Sequence, residues 1–321
     1  MDCIVPPSTL VFLSRLWLQE PDVEALEQAR QIPAFAPHCA EPADPSTSAS
    51  LHSGLRLRAG LAAAYADLFL LNVYPYASVF LDPDGEMNGA RAQEVRDIYA
   101  QYGYAPGALH EVGAADHVGL MLGLLAQAGH DGHSVLPYLL DWAPVLCLAV
   151  EREPAAACAP FYRAVASETR RVLFEQRASF RIQPAPALHG QAAELELEWA
   201  RSAPDEELSL RAIVHRLLCP ARSGVFLSRA RLGAWARDLG VRLPFASRFD
   251  VGLSLFEAAG AMGHVSRLVD GLMAELEEWD ATYAAWARAG WGNDAVAWRA
   301  RVRGTIRMLA SMKETLVPCP P

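Results

Sequence analysis

No stretch of this chain is long and apolar enough to cross a bilayer. The longest candidate, Val118 to Ala128, falls short of the roughly 18–20 residues a span requires and carries Gly119 and Gly123. The N-terminus lacks the basic start, apolar block and small-residue cleavage site of a secretory signal, and it holds no twin-arginine pair. The expectation is a cytoplasmic protein. Cys-x-x-Cys pairs are missing too. The six cysteines are scattered, the shortest gap running from Cys147 to Cys158, which reads as small buried hydrophobes and neither a disulfide framework nor a zinc site. There is no Gly-x-x-x-x-Gly-Lys loop, no Gly-x-Ser-x-Gly elbow and no His-Glu-x-x-His helix. Runs of alternating β-branched residues are absent, and only Ser179 to Gln183 is ambiguous. Positive charge is in short supply: the net charge is −9. That balance argues against a nucleic-acid partner and suits a cationic one, by steering more than by raw affinity.

What is present is helical period in a chain of 321 residues, about half of them apolar. Leu10, Leu13, Leu16 and Trp17 form a first stripe, with Ser8 as the expected N-cap and Pro21 splitting the segment so that Asp22 or Glu24 opens a second helix. Prolines and small residues from Pro33 to Ser53 predict a loop. Leu57, Leu61, Tyr65, Leu68 and Phe69 predict a helix from about Gly54 to Asn72, stopped at Tyr74-Pro75-Tyr76. Asp82 to Gly85 reads as a turn, Asn88 to Tyr102 as a helix ended by Gly103. Asp116 is placed to cap a helix whose inward face is Val118, Met121, Leu122 and Leu125. Leu136 to Leu148 reads as short and interrupted by Pro144, and Phe161 to Gln176 as helical.

A second block opens near Asp205, after a loose stretch at 184–204. Its expected helices are Glu206–Leu218, Ser228–Leu239, Phe249–Ala259, Val265–Trp279 and about Ala295–Glu314. Trp279, Tyr283, Trp286 and Trp291 read as the core of this block. The fold class is all-α, with residues 1–200 as one domain and 205–321 as a helical C-terminal extension.

Several pieces between Tyr65 and Trp142 stand in a telling order: Tyr65, Leu68 and Phe69; then Pro75, Tyr76 and Ser78; then Asp116-His117; then Leu139 and Trp142. In that order they resemble the TorD/DmsD/NarJ family of redox-enzyme maturation chaperones. Tyr138 stands where that family has histidine, and Ala114-Ala115 where it often has glutamate-proline. The resemblance implies a TorD-like helical bundle and a chaperone with no cofactor of its own. Such a protein binds the twin-arginine leader or the apo form of a molybdenum-cofactor oxidoreductase subunit and holds it until maturation is complete, as a monomer or homodimer. It would insert into no membrane.

The implied peptide-binding residues are Tyr76, Asp116, His117, Asp141 and Trp142. Four of them have a plainer reading: Asp116 as a helix cap only, His117 as a hydrogen-bonded structural histidine, Trp142 as core and Asp141 as a solvated residue. His130 and His133 have a spacing that invites a metal, though an exposed turn is favoured there. Two other functions stay open: an all-α metal- or cofactor-binding enzyme using His117 with His130, His133 or a cysteine, and a helical scaffold acting through the C-terminal extension.

Overall fold

A computed structural model describes residues 5–39, 50–129, 132, 135–154, 159–180 and 209–316. Among them the fold is all-α, with no strand and one isolated bridge, Tyr76 to His117. The chain divides into two compact units: Met1–Ser78 with Met87–Arg181, and Val79–Glu86 with Ile182–Pro321.

In the first unit, α1 (Pro7–Leu18) starts on Pro7 with Pro6 as its N-cap, and no side chain caps it. Ser8 therefore lies inside the helix and caps nothing, because proline at the first helical position already tolerates the missing bond. Asp22 caps α2 (Val23–Arg30), its carboxylate accepting the Ala25 N–H at 2.8 Å. The next helix, α3 (Ser50–Tyr65), begins earlier than Gly54 and passes into a π-turn over Ala66–Asn72. The Val73 N–H reaches back to the Leu68 carbonyl at 2.7 Å, and Asn72 Nδ2 donates to the Asp67 carbonyl at 2.9 Å. One extra residue per turn rotates the end of the helix. Leu68 and Phe69 stay buried while Leu70 and Leu71 face solvent.

Two short helices flank α5 (Ala90–Gln101) in the sequence: α4 (Ala77–Leu81), whose last three residues belong to the second unit, before it and α6 (Leu109–Val112), which the sequence does not announce, after it. Gly103 ends the turn after α5 at positive φ. Then come α7 (Val118–Ala128) and α8 (Val135–Glu151). Pro144 lies within α8 without ending it. Proline deletes one backbone donor, but nearly every residue from Val135 to Val150 is buried, and that packing carries the helix through. The last helix of this unit is α9 (Pro160–Phe180), so Ser179 and Phe180 are helical. Residues 181–183 lie outside the described residues, as do His130 and His133.

α1 lies along α7, and Gly119 lets it approach closely. A Cβ at 119 would stand 2.6 Å from Leu18 Cγ and 2.9 Å from the Ser14 carbonyl oxygen. Ser14 Oγ instead donates to the Gly119 carbonyl at 2.6 Å. Trp17 sits at the centre, fully buried, its indole N–H donating to Thr169 Oγ1 of α9 at 2.9 Å.

The second unit contains α10 (Leu210–Leu218), α11 (Pro220–Ser223), α12 (Arg229–Asp238), α13 (Arg248–Ala261), α14 (Val265–Trp286) and α15 (Asp294–Leu316). Ser209, Ser228 and Ser247 cap α10, α12 and α13 through their hydroxyls. Arg222 and Ser223 close α11, and Gly224 follows as its C-cap. Gly224 has φ +82°, and a Cβ there would lie 2.7 Å from the Val302 nitrogen. α14 runs seven residues beyond Trp279, because Tyr283 and Trp286 extend the apolar stripe, and a π-turn at Ala287–Trp291 follows. Trp279, Tyr283 and Trp291 pack on one another, and Trp298 of α15 is buried as well. The Tyr283 hydroxyl donates to the Gly224 carbonyl at 2.8 Å.

Candidate functional site

The motif residues of the first unit form one hydrogen-bonded clamp. Pro75 ends helical pairing after the π-turn, and the extended backbone beyond it pairs with the residues that open α7. The Val118 N–H donates to the Pro75 carbonyl at 2.9 Å and the Ala77 N–H to the Asp116 carbonyl at 3.0 Å. The Tyr76 ring meets the His117 ring edge-on, centroids 5.1 Å apart.

Asp116 does not cap α7. Its Oδ2 accepts the Ser78 N–H at 2.7 Å, in the first turn of α4. The cap of α7 is His117, whose Nδ1 accepts the Gly119 N–H at 3.1 Å. Two adjacent residues of capping type thus serve two different helices, because the bridge points Asp116 back at α4. His117 is wholly enclosed, and loss of hydration lowers its pKa to about 3. It is neutral, with the proton on Nε2, since Nδ1 is the acceptor.

Hydroxyls brace the clamp from below. Tyr76 Oη donates to the Val112 carbonyl at 2.7 Å, and Tyr99 Oη to the Ala115 carbonyl at 2.6 Å. Tyr65 Oη donates to the Trp17 carbonyl at 2.9 Å, and Phe69 packs on Trp17 and Tyr162. Asp116 Oδ1 and Ser78 Oγ are buried without a hydrogen-bond partner.

Of the five residues singled out in the sequence, Asp116, His117, Asp141 and Trp142 are buried. Tyr76 alone is half-exposed. The bridge brings Tyr76, Asp116 and His117 together, while Asp141 and Trp142 belong to the buried length of α8. Leu70 and Leu71, which stand outside the motif residues, are 63% and 41% exposed on the π-turn. Their signal was available: two leucines continue past Leu68 and Phe69 where a regular helix turns polar. Tyr74, half-buried, reaches back to the Leu71 carbonyl at 3.4 Å. Burial first, then the neighbouring Tyr76 and Glu20, raises the pKa of the Tyr65 phenol.

Such an arrangement offers an apolar, tyrosine-edged surface made by Leu70, Leu71, Tyr74 and Tyr76. Among the described residues no group of three or more His, Cys, Asp or Glu is placed to hold a metal. Cys39, Cys147 and Cys219 are buried free thiols, and burial raises the pKa of all three. No helix among the described residues is long and apolar enough to cross a membrane.

Residues 24–144 match the family model described as nitrate reductase delta subunit. Neither a curated protein nor a solved structure matches the chain. The matched segment runs from α2 into α8 and contains the whole clamp; α9 to α15 lie beyond it. Residues 24–144, a little over a third of the chain, are thus similar to the nitrate reductase delta subunit family, a TorD/NarJ-like family of molybdoenzyme maturation chaperones.

Proposed function

We propose that this protein is a cytoplasmic chaperone that binds the twin-arginine leader or an apo segment of a molybdenum-cofactor oxidoreductase subunit and holds it until maturation is complete. The observation that carries this reading is the π-turn within the family-matched segment, which exposes Leu70 and Leu71 beside Tyr74 and Tyr76. A leader presents arginines followed by an apolar stretch. The leucines and tyrosine edges suit the apolar stretch, and Glu20 and Asp67 suit the guanidinium groups.

In this reading Tyr76 touches the client directly. Asp116 and His117 hold its backbone in place, and Asp141 and Trp142 keep α8 rigid beneath. Asp116 is fully buried, so direct contact with it would require the clamp to open, after which Oδ1 is an open acceptor. Residues 205–321 form an extension outside the chaperone domain.

The test is a deletion strain for this chain. The account expects a molybdoenzyme encoded beside it to accumulate without cofactor, with recovery on return of the wild-type chain. Normal maturation in the deletion strain would reject it.

A further inference from the structure

We propose that the tip between α12 and α13 seats on an anionic lipid surface, resting on it without crossing it. Residues 209–249 hold eight arginines against one carboxylate, Asp238, in a chain of net charge −9. Three of those arginines lie over phenylalanine rings. Arg211 is 5.3 Å from the Phe249 centroid, Arg248 4.5 Å from Phe226 and Arg229 4.5 Å from Phe245. All three pairs gather at the start of α13. There Arg248 also donates to the Leu227 carbonyl at 3.2 Å, one residue before the cap of α12. Two helix N-termini are thus drawn together, and their dipoles add to the positive field.

Phe245 is 89% exposed, while Trp279, Trp291 and Trp298 of the same unit are fully buried. Arg242, Pro244 and Ser247 around it are exposed as well. Among the described residues Arg211, Arg229, Arg237 and Arg242 have no carboxylate partner. At the edge of this cluster Asp250 is exposed, its carboxylate accepting the Ser247 hydroxyl at 2.6 Å.

The charge sign is opposite to what a twin-arginine leader needs, so this surface serves a different partner from the clamp. The ring projects from the surface and lines no groove. A folded protein would have to supply a fitted pocket for it, whereas a lipid interface yields around a single apolar side chain. Guanidinium groups pair readily with phosphodiester headgroups, and a basic cluster beside an apolar anchor provides the two signals that stable peripheral attachment requires. With Arg229 over one face, Phe245 is a poor platform for successive nucleic-acid bases.

The test is cosedimentation of the full-length protein with vesicles of equimolar phosphatidylglycerol and phosphatidylcholine, and with phosphatidylcholine alone. Binding is expected only to the anionic vesicles, and it should weaken as salt rises. Phe245→Ser should lower it by about tenfold. Arg242→Gln should lower it by about fivefold. Both side chains are exposed, so melting temperatures should be unchanged. The proposal is overturned by no binding to anionic vesicles, by equal binding to neutral ones or by binding that Phe245→Ser leaves intact. Tighter binding to polyglutamate or to a single-stranded oligonucleotide would likewise overturn it, assigning the surface to a polypeptide or to nucleic acid.

Discussion

Asp116 Oδ2 accepts the backbone N–H of Ser78 at 2.7 Å, joining two motif segments that lie 38 residues apart. The bond satisfies a donor at the start of α4 that the chain beside it leaves open. Asp116→Ala should therefore cost about 1–3 kcal/mol, the range for a lost cap that strands a buried donor. Asp116→Asn keeps an acceptor at the same place and should cost less. Urea denaturation of both variants checks the order; equal losses would mean that the bond is not what matters at this position.

His117 makes stability depend on pH in a defined direction. Its folded pKa of about 3 lies below the ordinary value of 6.5. Between those limits the unfolded chain binds the proton and the folded chain does not, so stability falls as pH drops below 6.5 and is flat above it. From pH 6.5 to 5 the loss from this one group is about 2 kcal/mol. His117→Asn retains a cap for Gly119 and should remove this part of the acid sensitivity. Melting curves at both pH values for the two proteins measure the difference. An unchanged pH slope in the variant would count against the neutral, buried histidine.

Close approach of α1 to α7 rests on Gly119. Gly119→Ala sets a methyl group against Leu18 and the Ser14 backbone, and the helices must part. The expected loss is about 1–3 kcal/mol, read as a lower midpoint in urea. No loss would mean that the two helices slide freely.

Leu70 and Leu71 should behave in the opposite way. Because both are exposed, Leu70→Ser and Leu71→Ser should leave the melting temperature within about a degree or two. Client binding should nevertheless fall, by about tenfold for the pair. Parallel thermal melts and binding titrations separate the two effects.

Much of the helical plan was legible from residues alone. Leu61 to Phe69, Val118 to Leu125 and Val265 to Tyr283 repeat at the helical period, and the period follows directly from one-sided burial. The clamp was legible only as a set of residue types. Asp116 and His117 are both good caps and sit side by side. Which helix each one serves depends on the backbone bridge to Pro75 and Ala77, a tertiary pairing with no local signal. Pro144 misled for a related reason: local chemistry says stop, and burial of nearly all of α8 overrides it. Trp142 and Asp116 look like groove residues by type, yet both are fully enclosed. Leu70 and Leu71 look like core by type, and the π-turn turns them outward. Nothing local signals that Val79–Glu86 belongs to the second unit.

The most direct test is a calorimetric titration of the purified protein with the leader peptide and the apo-subunit of the molybdoenzyme encoded beside it, repeated with Leu70→Asp. The account predicts saturable binding to at least one of the two ligands by the wild type and a loss of about tenfold or more in the variant, with both proteins melting at the same temperature. Absence of binding by the wild type, or equal affinity in the variant, would contradict it.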